Sequence, residues 1–415
     1  MRNLFVFILM LTVFVSCSKD DDSGSNSIKK ATVKGAQLIY KNSITTRATT
    51  AEEIERFMTI DNHGNVKPIR FITERGDTLD MSIEKVENLN KDYLILNGTF
   101  LVNDVSVRSL LVNKNTEAIY IMKDREDIYS DIVYPSFEDK YNYLYIGDYK
   151  MVYRFNVSNP DNVTLENYIP ETQQIYSYFV NKSGFCYYHN NSGNKNIKCP
   201  GGRIYSILEL IPKGINNIFS GFDNKFYVIS DVFNDDNGFQ YIYRLDEIGN
   251  NELKVIELST LTNDERGHHY SFCPNHKRKT YIASNGHETL EFNEETGEIT
   301  KLNLNIPIIY YSDYNDNFIK NTFVTSESLW IFNENKLYQL SLNDYSLKII
   351  NLINEGYEIN QENITCSIES PGLSFSGVRY SDGQNVVGTI NEDGSITAFE
   401  KTKSGNPVIT LLRLN

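Results

Sequence analysis

Positive charge is in short supply in this chain. Forty lysines and arginines stand against 54 aspartates and glutamates, leaving a net charge of −14 over 415 residues. No Lys/Arg-rich stripe offsets that deficit, so the surface repels polyanions and nucleic acid is not an expected partner. Tryptophan occurs once, at Trp330, and cysteine five times. Helical 3.6-residue periodicity is almost absent, and its clearest candidate is the short TTAEEIERF at 49–57. After the first 17 residues no apolar run is long enough to cross a bilayer as a helix. What is present suffices to fold: 40% hydrophobic and 12% aromatic residues supply a core that a disordered chain lacks. The length allows several ordinary domains, but all-β architectures often run this long as one unit.

The N-terminus reads as an address. Residues 1–17, MRNLFVFILMLTVFVSC, carry one early positive charge at Arg2 and an unbroken apolar run from Leu4 to Val15, the pattern of a secretory signal. Cys17 directly after that run resembles the lipobox of bacterial lipoproteins, in which this thiol is lipidated. The residues that follow, SKDDDSGSNS, resemble the acidic tag that sends Bacteroidota lipoproteins to the outer leaflet of the outer membrane. Three carboxylates followed by Ser and Gly make a solvated tether. The expected organisation is a signal at 1–17, a tether at 18–33 and a folded unit at 34–415, held to the membrane by its lipid.

From about residue 36 onward, runs of Tyr, Ile, Val and Phe alternate with Asn/Asp/Gly turns. Four segments superpose as strand, loop, strand, polar turn, strand; they start at Tyr143, Phe226, Thr280 and Leu329. Looser copies begin at Asp92, Gly184 and Asn385. Upstream of the copies stand Ser82, Ser136, Ser177, Ser220, Ser271, Ser312 and Ser376, whose span of 294 residues over six intervals gives a period of 49. That distance leaves room for a fourth strand per unit, and a four-stranded period near 50 is the mark of a β-propeller. The expected fold is all-β, a single β-propeller of about seven four-stranded blades. Residues 34–73 form either an eighth blade or outer strands that help close the ring.

The repeats resemble those of quinoprotein-like and YVTN-type propellers, EFNEETGEITKL at 291–302 being the nearest match. The quinoprotein tryptophan that closes each such unit is missing. The resemblance therefore implies the architecture without the cofactor, and no cofactor or metal is expected.

Chemistry-bearing groups are few. Cys186 and Cys199 sit symmetrically about Ser192-Gly193, as facing positions of a hairpin would, and form a disulfide candidate in an oxidising compartment. Cys273 and Cys366 read as buried strand residues. His268, His269, Cys273 and His276, with His287 nearby, form one metal-like cluster but lack the paired thiolates or H-E-x-x-H helix of zinc sites. GLSFSG at 372–377 is not a nucleophile elbow. Arg75-Gly76-Asp77 and Asp77-Thr78-Leu79 match short adhesion and O-glycosylation signatures of the kind that recur by chance.

In a propeller, the loops between second and third strands open on the same end as the segments leading into the inner strands. Here those loops read as long at 189–202 and 231–239. The expected recess is bounded by Tyr188, His189, Asp231, Phe233, Asp236, Phe239, His268, His269 and His287, with aromatics giving contact area and imidazoles or carboxylates giving polarity. Two functions remain open at this stage. One is a non-catalytic outer-membrane surface lipoprotein that binds a glycan, peptide or partner protein. The other is a propeller glycoside hydrolase or lyase, which would need an acid and a base flanking one bond.

Overall fold

The computed structural model describes most of residues 28–413. Residues 1–27, 43–55, 122–136, 263–268, 310–320, 401–407 and shorter loop stretches lie outside the described residues, as do Cys17, Ser136, Phe233, Asp236, His268 and Ser312. Every regular element described is a β-strand. The helix expected at 49–57 falls mostly outside them, and its last two residues instead open the strand Arg56–Asp61.

Eight antiparallel four-stranded sheets follow one another along the chain. Sheet 1 holds Ala36–Asn42, Arg56–Asp61 and Val66–Pro68, joined by the C-terminal strand Val408–Arg413. Sheet 2 spans residues 83–121, sheet 3 137–170, sheet 4 175–206, sheet 5 214–262, sheet 6 271–302, sheet 7 322–351 and sheet 8 357–400. The period-2 pattern explains how they stack, because both faces of each sheet are apolar. In sheet 2, Leu94 and Leu96 pack with Ile39 and Phe57 of sheet 1, while Tyr93 and Ile95 pack with Leu144, Tyr153 and Phe155 of sheet 3. In sheet 7, Leu329 and Ile331 face Ile282 of sheet 6, whereas Trp330 and Phe332 face Leu373 and Phe375 of sheet 8.

Similar cores join sheets 4 and 5, 5 and 6, and 8 and 1. Only the junction of sheets 3 and 4 falls on side chains outside the described residues. Apart from that junction, buried contact passes from sheet to sheet and from sheet 8 back to the first, the order of a β-propeller. Val408–Arg413 takes the first position of sheet 1, pairing Leu38 with Arg413 and Tyr40 with Leu411. It also lies beside Tyr357–Thr365 and Ile83–Asn88, the first strands of the neighbouring sheets, so first strands line the centre. Residues 36–68 therefore supply the outer three strands of an eighth sheet whose first strand comes from the chain's other end, and Phe71–Thr73 belongs to a separate side sheet.

The repeat copies from Tyr143, Phe226, Thr280, Leu329, Asp92 and Gly184 each start at or within one residue of a second strand, but the copy from Asn385 starts on a third strand. The serines do not share one position. Ser82 precedes its inner strand, Ser220 ends one and Ser376 lies on a second strand. Residues 28–33, read as tether, are folded: Ile28–Ala31 pairs with Phe71–Thr73, which pairs with Thr78–Leu79. This small side sheet buries Ile28, Ala31 and Val33 over the junction of sheets 1 and 2.

At the lower end of the ring, where third strands turn into fourth strands, the polar turn of the repeat takes a recurrent form. In residues 113–118, 293–298 and 341–346 the fifth residue donates its N–H to the first carbonyl (Glu117 to Asn113, Gly297 to Asn293, Tyr345 to Ser341). All three fifth residues have positive φ. The second residue of such turns is clasped by the preceding sheet. Asn275 Nδ2 donates to Leu342 O at 2.9 Å, Gln339 Nε2 to Glu392 O at 2.6 Å, and Tyr227 OH lies 3.3 Å from Glu294 O.

Candidate functional site

The described part of the predicted recess lies at the upper end of sheets 5 and 6. Phe239 opens the third strand of sheet 5, Phe239–Gly249, directly after the 233–238 connection. Side chains on a strand alternate, so Phe239, Tyr241 and Tyr243 share a face. Their rings form a ladder with centroids 6.4 and 6.1 Å apart, the lower pair stacked at 11°. Tyr243 is buried in the core shared with sheet 4, Tyr241 is packed against it, and Phe239 is half-buried where the ladder reaches the rim.

The opposite face of that strand fastens the rim. Gln240 is fully buried; its Nε2 donates to Tyr270 O at 3.1 Å and its Oε1 accepts Tyr270 N at 2.6 Å. The amide thus stands in for one rung of backbone ladder between two sheets. Tyr270 then donates its hydroxyl to Glu288 Oε2 at 2.6 Å, and Lys301 pairs with the other carboxylate oxygen. Lys301 first and Tyr270 second hold the Glu288 carboxyl below its ordinary range, against the opposing effect of burial. Glu288 is therefore an anion at neutral pH.

His269 and His287 meet this frame from two sides. Ser271 pairs with Ser284, and continuing that register sets His269 level with Gly286, next to His287. His269 is half-buried and His287 exposed in the 285–288 turn, whose backbone is held by Asn285 Oδ1 at 3.0 and 2.8 Å. His269 and His287 thus lie level with each other on sheet 6, whereas Phe239 stands on the face of sheet 5 that looks toward sheet 4. Tyr188 and His189 lie on the second strand of sheet 4, where His189 pairs with Ile175 and Asn196, and Asp231 lies on the second strand of sheet 5.

The expected long loop at 189–202 is a correction. Asn191 pairs with Asn194, so Ser192 and Gly193 alone connect the strands, as suits a two-residue hairpin. Cys199 is disulfide-bonded, and Cys273 and Cys366 remain thiols. The metal-like cluster is drawn apart by the strand Ser271–Asn275, with His269 before it and His276 after it. His276 Nε2 instead lies 3.0 Å from Ser326 O.

The lower end holds two further polar clusters that carried no sequence signal. A recess of about 390 Å³ is lined by Arg278, Thr280, Glu291, Asn293, Glu298 and Thr300. Burial opposes ionisation of Glu291, but hydrogen bonds from Tyr345, Arg278 and Thr280 outweigh it and lower its pKa. Those bonds measure 2.6, 2.9 and 2.8 Å. Nearby, Glu294 is 3% exposed and accepts Asp223 N at 2.9 Å. Burial, and next the Asp223 charge, push its carboxyl above the ordinary range. Gly221 makes room for it, since a Cβ there would lie 2.3 Å from Tyr227 Cε2 and 2.6 Å from Glu294 Oε2. Both carboxylates are spent on holding sheets together. At the upper rim stand the Phe239 ring and, on sheet 6, the imidazoles of His269 and His287.

No protein-family model and no curated protein matches the chain. Solved structures of similar shape include virginiamycin B lyase from Staphylococcus aureus, 12% identical, covering 66% of this chain and 87% of that one with a TM-score of 0.41. They also include a quinoprotein alcohol dehydrogenase-like protein from Bacteroides thetaiotaomicron, 10% identical, covering 92% and 79% with a TM-score of 0.42. Likeness at this level says nothing of what this chain binds. Its propeller architecture stands on its own sheet order and cores.

Proposed function

We propose that the protein is a non-catalytic glycan-binding lipoprotein of the outer-membrane surface, anchored through Cys17 and reading its ligand with the upper rim of sheets 5 and 6. The supporting observation is the aromatic ladder that rises from the sheet 4–5 core and ends at Phe239 on the upper rim, with His269 and His287 at the same rim on sheet 6. A sugar ring presents C–H faces that stack on an aromatic ring and hydroxyls that imidazoles can bond, and the rim supplies both. Rigid backing from Gln240 and Tyr270 keeps the cost of ordering the rim low on binding. The strand Ile28–Ala31, to which the preceding residues lead, lies in the side sheet at sheets 1 and 2, away from this rim. A disulfide between Cys199 and Cys186, which the strand register sets opposite it, would brace sheet 4 beside the ladder.

The test is affinity electrophoresis of the protein against a panel of plant, host and microbial polysaccharides. Retardation by at least one polymer is expected, together with a loss of about three- to tenfold in affinity for Phe239→Ala, the range of an aromatic pair. Retardation by none, or a Phe239→Ala protein that binds like the wild type, would refute the assignment. Cleavage of a retarding polymer would move the protein to the propeller glycosidases.

A further inference from the structure

The side sheet ends in a finger that the ring does not need. Phe71 and Thr73 are buried, whereas Glu74, Arg75, Gly76 and Asp77 are all exposed at its tip. Gly76 N donates to Thr73 O at 3.0 Å and Thr73 N to Asp77 O at 2.9 Å. A turn of this kind, closed by a left-handed residue, is a standard three-residue hairpin loop, and the left-handed residue is Gly76 at φ +85°. Thr73 Oγ1 also accepts Asp77 N at 3.2 Å, so the buried strand fixes the backbone on which Asp77 stands. Neither Arg75 nor Asp77 forms an ion pair with another described residue. The finger therefore displays a guanidinium and a carboxylate, two residues apart across a glycine, on a rigid stem.

We propose that this hairpin is a docking finger for a receptor that offers a bound divalent cation to the Asp77 carboxylate and an acidic pocket to Arg75. The charges argue for that partner. A hard cation takes carboxylate oxygen, a guanidinium takes a carboxylate pair, and preorganisation of the turn lowers the ordering cost of engaging both. The apolar alternative has no support here, because the tip carries no exposed large hydrophobic side chain. This finger lies over sheets 1 and 2, so its occupancy is separate from that of the sheet 5–6 rim.

The experiment measures binding of the full-length protein, in detergent micelles, to an immobilised integrin ectodomain of the Arg-Gly-Asp-dependent class in the presence of manganese. Saturable binding is expected, competed by a cyclic Arg-Gly-Asp peptide and abolished by a chelator. Arg75→Ala should weaken it by at least about thirtyfold, the cost of removing one partner of a desolvated charge pair, and Asp77→Glu, which keeps the charge but moves the carboxylate one methylene off the cation, should weaken it too. Both side chains are exposed, so both variants should melt with the wild type. No binding by the wild type, binding that survives the chelator, or binding unchanged in Asp77→Glu would overturn the proposal. A glycan found on Thr78 by mass spectrometry of the protein from its native cells would also overturn it, because the modification would cover the neighbouring carboxylate.

Discussion

Glu294 shows how a single buried carboxyl is put to structural use in this ring. Its Oε1 takes the backbone N–H of Asp223, and its surroundings disfavour the charge. A carboxyl whose folded pKa lies above its ordinary value of 4.5 supports the fold fully only below that pH, and the support fades as pH rises through the folded pKa. At about pH 7 the ionised form is a cost. Glu294→Gln keeps the acceptor and the volume, so thermal melts should show the variant above the wild type at neutral pH, with the gap closing in acid. A wild type that melts higher at neutral pH would mean that the anion is stabilising. Glu288 and Glu291 have the opposite sign, since their lowered pKa values add stability above the ordinary range and lose it as pH falls. Neither differs between the two proteins, so the comparison isolates Glu294.

At the scale of elements, the lower turns carry the inter-sheet order. Asn275 is fully buried, and besides its bond to Leu342 O its Oδ1 accepts Lys277 N and Arg278 N at 3.1 and 3.2 Å. Asn275→Ala strips those groups of partners, for a predicted loss of about 1–3 kcal/mol in urea unfolding. Asn343→Ala, at an exposed turn position of the same clasp, should stay within about 0.5 kcal/mol. Equal losses would show that the clasp is not where the order resides. Of these elements, the second and third strands were legible in sequence because continuous apolar runs such as LWIF, buried on both faces, announce them. The clasps were not, because Asn275, Gln339 and Tyr227 are different residues doing one job across sheets. In the rim, His269 and His287 lie level on sheet 6, while Phe239 stands on the sheet 4 side of sheet 5. Tyr241 and Tyr243 were missed although F-x-Y-x-Y is a readable alternation, and Gln240 gave no signal because its partner is a backbone 30 residues away.

The molecule as a whole is a ring sealed by its own C-terminal strand. The period of 49 counted only units that begin and end in one stretch of chain, and so passed over sheet 1, whose first strand comes from residues 408–413. A unit split between the two ends of a chain leaves no linear repeat. Because the ring is rigid, a ligand at one rim should leave the other rim untouched. Hydrogen exchange of the protein with and without a polysaccharide that retards it tests this most directly. The account predicts slowed exchange at 239–243, 269–271 and 285–288, with residues 275–280 and 293–298 unchanged; slowing confined to the lower turns, or absent from the ladder strand, would contradict it.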